Sequence, residues 1–350
     1  MIYIHQTSCI SPQQTFPSAD LQRLHLPVDN KLLAIEPAYE GIPKSVLRRM
    51  SKPVRMGVGA ALPLIDQLEN LDGIIIATAN AGMEDCFYFL KQIVEYDEGL
   101  LTPGNFVQST ANALAGQLGM LKQNKGYNIT HVHLGLAFEN ALLDAAMQVE
   151  EHPDHTYLLG AVDDISVYNY AINSLDDWFK DEQETGENLY NSRTKGSIPG
   201  EGAAMFLVNG VPESAIAMVV AVNTIHTKDE VVVKQQLNNF LAKHLPAHKQ
   251  ISVLISGENG DNRLTKFYAA CEELLPEDAG IIRYKHISGE YPTAVATALW
   301  MACKILQTDP VPQHMIKKDW QDEPVKYILI YNNFKGAQHG FMLVATPDME

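Results

Sequence analysis

The stretch that decides the fold is Gly126-Tyr-Asn-Ile-Thr-His-Val-His-Leu-Gly135-Leu-Ala-Phe-Glu-Asn-Ala-Leu-Leu-Asp-Ala-Ala-Met147. A β-rich segment leads through small Gly135 into an apolar helical pattern, which predicts a strand, a sharp elbow and a buried helix. Such an elbow places one side chain in a pocket at a helix N-terminus, where the helix dipole favours an activated nucleophile. The pattern places Gly135 at the apex, and glycine has no side chain to offer. The stretch therefore predicts a catalytic scaffold without its catalytic group.

The composition is that of an ordinary globular protein. The chain has 350 residues, of which 46% are hydrophobic and 19% charged, so it has enough apolar residues for one large domain or two fused halves. Its four cysteines form no CxxC pair and no ligand cluster, which indicates reduced thiols without a zinc site. The sequence shows no secretion signal and no membrane-spanning run. We therefore expect a soluble, cytoplasmic protein.

The charge balance excludes one class of partner. A formal net charge of −16 leaves no basic stripe for nucleic acid. The same charge disfavours unaided docking of another acidic protein. The exception is the basic segment Leu47-Arg-Arg-Met-Ser-Lys-Pro-Val-Arg55, which is either a solvated helix face or a docking patch. Charge patterning favours the solvated face.

Apolar runs of strand length alternate with longer helical patterns, which predicts layered α/β architecture with buried strands. The clearest predicted strands are 74–78, 157–161, 203–208, 216–222, 251–255 and 327–331. The clearest predicted helices are 105–121, 137–149, 264–275 and 293–306. The polar segment at about 176–195 is predicted to be a long connection or a lid.

The sequence also echoes itself. The run 73–82 and its following aromatic helix reappear as 252–260 and the helix around Phe267. The strand, elbow and helix at 130–147 reappear at 281–306, and the turn and strand at 200–208 reappear at 336–344. Three echoes in the same order predict duplicated βαβαβ halves, 1–210 and 211–350, with facing pockets.

These segments resemble the condensing β-ketoacyl-(acyl carrier protein) synthases of the thiolase superfamily. The most specific match is Pro199-Gly-Glu-Gly-Ala203, which is similar to the family's Gly-Glu-Gly-Ala turn. Lys285-His-Ile-Ser-Gly289 resembles the family's Lys-x-x-Thr-Gly-His segment, and Ala337-Gln-His-Gly340 resembles its closing turn. The resemblance implies a thiolase-like fold with a layered α/β/α/β/α core and an acyltransferase ancestry without a cofactor.

All three catalytic positions of the family are substituted here. Gly135 stands where the family has the cysteine that attacks the acyl thioester, and the loop starting at Ser256 lacks the first histidine. Glu290 stands where the family has the second histidine. Those histidines stabilise negative charge during decarboxylation, and a carboxylate would repel that charge. We therefore expect no catalytic residues, and expect a Gly135→Cys replacement to restore at most acylation.

Four further residues belong to the predicted pocket or its support. Phe334, in Asn333-Phe-Lys-Gly336, resembles a shifted form of the family's gating phenylalanine. Lys285 is expected to pair with Glu290 or Asp261. Glu201 is predicted to be a buried, hydrogen-bonded turn residue rather than a base.

The histidines leave alternatives open. His131 and His133 alternate on one strand face, so a metal pair is conceivable, but a third ligand at useful spacing is missing from the sequence. A core or subunit-interface role is favoured, and no metal is predicted. His286 is either a replacement acid/base for the lost histidine or a structural residue, and the latter is favoured.

Two functional hypotheses follow from the resemblance. The first is a catalytically silent, chain-length-factor-like subunit of fatty-acid or polyketide-type biosynthesis, in aryl-polyene or flexirubin-like pigment pathways. It would pair with an active ketosynthase through the strand 128–134, as a heterodimer or else a homodimer, and the acyl carrier protein would dock through the partner. The alternative is an acyltransferase or condensing enzyme of cysteine-independent chemistry that uses Glu290 as base. The plainest reading is a homodimer that merely binds acyl ligands or binds nothing.

Overall fold

The computed structural model describes residues 1–97, 99–182, 184–320 and 324–347; the predicted lid at 176–195 thus contains one residue, Gln183, outside the described residues. The strands are β1 Ile2–Ile10, β2 Gly73–Ala77, β3 Tyr127–His131, β4 Tyr157–Asp163, β5 Gly202–Asn209, β6 Ala217–His226, β7 Val253–Ser256, β8 Gly280–Arg283, β9 Ile316–Lys318, β10 Tyr327–Phe334 and β11 Gln338–Ala345. The α-helices are α1 Lys44–Leu47, α2 Lys52–Ile65, α3 Met83–Glu95, α4 Pro103–Gln108, α5 Ala113–Leu121, α6 Ala137–Glu151, α7 Val167–Leu175, α8 Glu230–His244, α9 Thr265–Glu272, α10 Lys285–Ser288 and α11 Val295–Leu306. Short 3₁₀ turns occupy Leu134–Leu136, Gly186–Asn191 and Gln313–Met315.

The strand order repeats across the molecule. The sheet runs β3-β2-β4-β5-β1-β6-β11-β10-β7-β8-β9, so the first five strands mirror the order β8-β7-β10-β11-β6. The three sequence echoes correspond to β2 and β7, β3 and β8, and β5 and β11. The turn between β5 and β6 contains the predicted boundary at residue 210. The division into two domains remains a prediction, since one sheet runs through both halves.

The two halves join at β1 and β6, where Ile2–Ile4 pairs antiparallel with Ala217–Val219. Alternation along the strands divides the core into layers, because successive side chains point to opposite faces. On β2, for example, Ile75 and Ala77 face the central cluster, whereas Ile74 and Ile76 face an outer one. The central cluster contains α6 and α11, one outer cluster contains α2 and α5, and the other contains α8 and α9. This arrangement confirms the predicted α/β/α/β/α fold class.

Of the two central helices, α11 is apolar around most of its surface, whereas α6 buries one face. Ten of the twelve residues of α11 are buried. In α6, Ala137, Ala141 and Ala145 recur at intervals of four and are all fully buried, so small side chains face the sheet closely. The elbow that precedes α6 is therefore held against the middle of the molecule.

Two sequence predictions need correction. The predicted helix 105–121 is interrupted: α4 ends at Gln108 and α5 begins at Ala113. The Ser109 hydroxyl donates to the Phe106 carbonyl at 2.7 Å, and this side-chain bond competes with helix continuation. The strand predicted at 128–134 ends at His131, because the chain turns into the 3₁₀ elbow.

Across the described ranges, no helix combines the length and the apolarity needed to cross a bilayer.

Candidate functional site

The elbow presents Leu134, rather than position 135, to a cavity. Leu134 has a left-handed backbone with φ of 48°, which is uncommon for a leucine, and it opens the 3₁₀ turn that leads directly into α6. Its side chain is 55% exposed and lines the cavity. Gly135 is buried one residue beyond. The apex thus lies one residue before the position expected from the sequence.

Gly135 has no room for a side chain. A Cβ at this position would overlap the Cβ and ring of Phe334, which itself lines the cavity. The Gly135 N–H donates to Gln338 Oε1 at 2.9 Å. A free N–H at a helix start is the usual donor for a developing oxyanion, and this one already has a partner.

The cavity has a volume of about 240 Å³ and lies where both halves of the chain meet. Aromatic side chains and amides dominate its wall, and three charged groups enter it. Its lining includes Asn80, Leu134, Asp164, Asn169, Tyr170, Asn173, Trp178, Phe179, Asn259, Glu290, Tyr291, Phe334 and Lys335.

Glu290 is held in place by two donors. Lys285 Nζ lies 2.8 Å from Glu290 Oε1, and Asn259 Nδ2 donates to Glu290 Oε2 at 2.7 Å. Lys285 is completely buried, so its charge is offset chiefly through this ion pair. Of the two expected partners of Lys285, the structure selects Glu290.

Two expected site residues lie elsewhere. Ser256 is fully buried at the end of β7, and its hydroxyl accepts from the Glu258 N–H. Asn259, three residues later, is the residue of that loop that reaches the cavity. Asp261 does not line the cavity either: its carboxylate is bound by Arg263, with Nη2 to Oδ2 at 2.5 Å.

Sequence reasoning missed Asp164 and Lys335, which also line the cavity. Burial raises the pKa of Asp164 to about 7, and the nearby carboxylate of Glu201 adds to the shift. Lys335 has a φ of 56° in the β10–β11 hairpin, and its Nζ lies 2.6 Å from Asn173 Oδ1. The available signals were the position of Asp164 directly after β4 and the lysine that interrupts a small-residue turn after Phe334.

Glu201 lies in the turn before β5, as expected. It is fully buried, and its carboxylate accepts from the Ala34 N–H at 2.8 Å, the Ile165 N–H at 3.1 Å and the Lys52 ammonium. Five polar contacts of Asp163 likewise tie the end of β2, β4 and the segment before α11 together. Both carboxylates therefore fix the frame around the cavity.

Glu139, the third residue of α6, is fully buried, and neither oxygen has a hydrogen-bond partner among the described residues. Burial raises its pKa to about 8. A Cβ at position 340 would overlap the Glu139 carboxyl group, so Gly340 is required there by close approach. Sequence analysis gave no signal for this group.

The histidines adopt structural contacts. His131 Nε2 lies 2.8 Å from Asp144 Oδ2, and His133 is exposed at the start of the elbow. His286 is buried between Tyr190 and His314. Within the described ranges, no group of three or more His, Cys, Asp or Glu side chains is arranged to hold a metal ion.

Half of the charges in the basic segment 47–55 are paired within the chain. Lys52 pairs with Glu201, and Arg55 binds Glu36 through Nε and Nη2 at 2.7 and 2.8 Å. Arg48 and Arg49 stay exposed and line a surface groove near α4 and α5.

Comparisons with known proteins agree with this architecture. Residues 27–175 match the family model for the β-ketoacyl synthase N-terminal domain. The fold is similar to that of the ishigamide ketosynthase/chain length factor, with a TM-score of 0.71, 15% identity and 99% coverage of both chains. It is also similar to a β-ketoacyl synthase from Burkholderia phymatum STM815, with a TM-score of 0.77, 13% identity and 99% coverage of both chains.

A third similar structure is the ketosynthase ApeO in complex with its chain length factor ApeC from Xenorhabdus doucetiae, with a TM-score of 0.74, 12% identity and 99% and 98% coverage of the two chains. No curated protein matches the sequence. Identities this low establish the fold. The chain therefore has the fold of these ketosynthase structures, and its residues 27–175 match the β-ketoacyl synthase N-terminal domain.

Proposed function

We propose that this β-ketoacyl synthase-like chain is a catalytically silent subunit that pairs with an active ketosynthase, in the manner of a chain length factor. The observation that carries the proposal is the elbow itself. It presents the apolar Leu134 to the cavity, and the next N–H is occupied by Gln338. Thioester attack needs a nucleophile and an open oxyanion donor at this place, and the elbow offers neither.

A second observation supports a partner. Most of the large apolar side chains that are markedly exposed among the described residues lie between Met83 and Leu175, whereas 217–347 contributes only Val231 and Val232. They extend over α3 to α7 and the elbow, and no residue of α3 is buried. A concentration of exposed apolar side chains in one half of the chain is typical of a protein with an interaction surface there.

The edge of the sheet lies within the same face. β3 is the terminal strand, so one side of its backbone has no strand partner in the described chain. An exposed edge strand beside apolar residues is a surface onto which a second sheet can pair. The proposed partner is therefore a ketosynthase that pairs through β3, and the acidic carrier protein would dock on that partner because this chain carries a net charge of −16.

The proposed setting is fatty-acid or polyketide-type biosynthesis, including aryl-polyene or flexirubin-like pigments. The two similar ketosynthase/chain length factor structures support this class of assembly, because the chain shares their fold. The alternative function, with Glu290 as base, has less support: both carboxylate oxygens of Glu290 accept from donors of the protein.

The test is a reconstitution. The chain is purified alone and together with the ketosynthase encoded beside it, and malonyl-carrier decarboxylation and elongation are measured. We expect no turnover by the chain alone, turnover by the pair, and loss of turnover when the partner's cysteine is replaced by alanine. Efficient turnover by the chain alone would overturn the proposal, and a loss of that turnover in Glu290→Gln would establish the alternative.

A further inference from the structure

The cavity beside Leu134 contains an ammonium group that no carboxylate meets directly. Lys335 Nζ donates to Asn173 Oδ1 at 2.6 Å, and none of the ion pairs formed among the described residues includes it. The amine lies over the rings of Trp178 and Phe334, at 5.1 and 5.6 Å from their centroids. Burial lowers the pKa of Lys335, which means that water compensates its charge poorly.

A second donor lies within the cavity wall, but its nitrogen is not exposed to the cavity. Asn169 Nδ2 is buried and has no hydrogen-bond partner among the described residues. Asn169 and Asn173 are one helical turn apart on α7, and both line the cavity. Asn173, whose Oδ1 accepts from Lys335, also donates through Nδ2 to the Asn169 carbonyl at 2.8 Å. Because Asn169 Nδ2 has almost no accessible surface, a ligand in the cavity cannot contact it, and Lys335 supplies the donor.

The two acidic groups in the cavity form no ion pair with the Lys335 ammonium. Glu290 is already bound by Lys285 and Asn259. Burial raises the pKa of Asp164 to about 7, so much of this group is protonated near neutral pH. Asp176 and Glu290 attract the Lys335 ammonium from a distance, but neither forms an ion pair with it, so the ammonium can still donate to an incoming anion.

Size and wall chemistry restrict the ligand. The volume of about 240 Å³ is below the roughly 300–1,000 Å³ of sites for drug-sized molecules. Aromatic rings of Tyr170, Trp178, Phe179 and Phe334 form much of the wall. The cavity therefore suits a compact apolar body with an anionic end.

We propose that the cavity binds a small organic carboxylate, whose oxygens accept from Lys335 Nζ while its apolar body lies among Tyr170, Trp178 and Phe334. The inference goes beyond the proposed function, because it assigns a ligand class to the cavity whether or not the chain pairs with a ketosynthase. Such a carboxylate can come from a free acid or from the far end of a thioester-linked acyl group.

The test is calorimetric titration of the full chain. 4-Methylbenzoate and hexanoate probe the free acids, succinyl-pantetheine probes the thioester-linked carboxylate, and 4-methylbenzamide is the neutral match. We expect at least one carboxylate to bind roughly tenfold or more tightly than the amide, since hydrogen bonds to charged groups are the stronger ones. Binding of the free acids or of succinyl-pantetheine shows whether the carboxylate comes from a free acid or from a thioester-linked acyl group. Equal binding of acid and amide, or no binding of any probe, would overturn the proposal.

Variants separate this site from apolar binding in general. Lys335→Met should lower carboxylate affinity roughly tenfold or more while leaving the amide unchanged. Lys228→Met, which changes an exposed lysine outside the cavity, should bind as the unmodified chain does. Unchanged carboxylate affinity in Lys335→Met contradicts the assignment. Because Lys335→Met should still co-purify with a ketosynthase, failure of carboxylate binding and failure of pairing are separate results.

Discussion

At the scale of single residues, the apex of the elbow and its closest contact with Phe334 belong to two adjacent residues, Leu134 and Gly135. Leu134 has the strained left-handed backbone and faces the cavity, whereas Gly135 has the close approach to Phe334 and the bonded N–H. Sequence reasoning placed the apex of the elbow at Gly135, because glycine is the residue most often found at strained turns. In the structure, position 135 requires glycine because Phe334 occupies the space that a side chain would need.

This division predicts opposite outcomes for two cysteine variants. In a Cys86→Ser background, where the remaining native cysteines are buried, Leu134→Cys should fold and react readily with iodoacetamide. Gly135→Cys should unfold at lower urea concentration, with a loss of about 1–3 kcal/mol from overpacking. Urea unfolding and mass spectrometry of the alkylated protein measure both effects. Ready alkylation of a stable Gly135→Cys protein would contradict the placement of the elbow.

Glu139 makes stability depend on pH. Its folded-state pKa of about 8 lies above its ordinary value of 4.5, so the folded state retains a proton that the unfolded chain releases. Stability from this group is therefore complete below about pH 4.5 and falls as the pH rises towards 8. Glu139→Gln removes the ionisation while retaining the shape.

We therefore expect Glu139→Gln to gain stability relative to the unmodified chain as the pH rises from 5 to 8.5, by about 1.4 kcal/mol for each unit of pKa difference at most. Urea unfolding at both pH values measures the gain. Glu213→Gln, at an exposed position, is the control and should show no such trend. Parallel behaviour of the two variants would show that Glu139 is ionised in the folded protein.

At the scale of elements, the predicted lid is anchored to the core by a directed chain of hydrogen bonds. The Leu21 carbonyl can only accept, so His314 Nε2 donates to it at 2.8 Å, and a neutral His314 ring then accepts at Nδ1. His286 Nε2 donates to that atom at 2.9 Å, which leaves His286 Nδ1 to accept from the Tyr190 hydroxyl at 2.9 Å. Burial lowers the pKa of His286 to about 3, consistent with a neutral ring.

Removing the Tyr190 hydroxyl tests this anchor. Tyr190→Phe leaves His286 Nδ1 and the His286 N–H without their partner, so we expect a loss of about 1–3 kcal/mol in the free energy of unfolding. Hydrogen exchange should accelerate at the amides of 186–191. The exposed Tyr96→Phe is the matched control and should change neither quantity. Equal effects of the two variants would mean that the anchor contributes nothing to the lid.

At the scale of the whole molecule, the two halves share a strand order but differ in surface. The half that contains β3 exposes an apolar face, whereas the other half covers the equivalent strand β8 with β9. A repeat in topology therefore does not produce a repeat in interfaces. The difference supports pairing through the first half.

Two valine variants test that difference. Val132 is 52% exposed beside the end of β3, and Val231 is 68% exposed at the start of α8. Val132→Asp should prevent co-elution with the ketosynthase, because an aspartate would be buried without a partner in the interface. Val231→Asp should co-elute normally. Size-exclusion chromatography of the co-expressed pairs distinguishes them, and unaffected co-elution of Val132→Asp would argue against pairing at β3.

Much of the frame was predictable from local patterns. Continuous apolar runs such as 203–208 encode a strand that is buried on both faces, and the three echoes anticipated the repeated strand order. Long-range detail was not predictable. Asn259 rather than Ser256 reaches the cavity because the loop after β7 turns, and Lys335 enters it because the hairpin adopts a positive φ. Local sequence periodicity encodes neither feature.

The sequence by itself determined the fold class, the internal repeat, and the lack of cysteine and histidine at the positions where the family it resembles has them. These properties depend on residue type and on local periodicity, which a chain carries before it folds. Only the tertiary structure decided that Leu134 faces the cavity, that Phe334 fills the space at Gly135, and that Lys335 is left without a carboxylate partner. Those outcomes depend on backbone direction and on contacts between distant halves of the chain, so they exist only once the layers are packed.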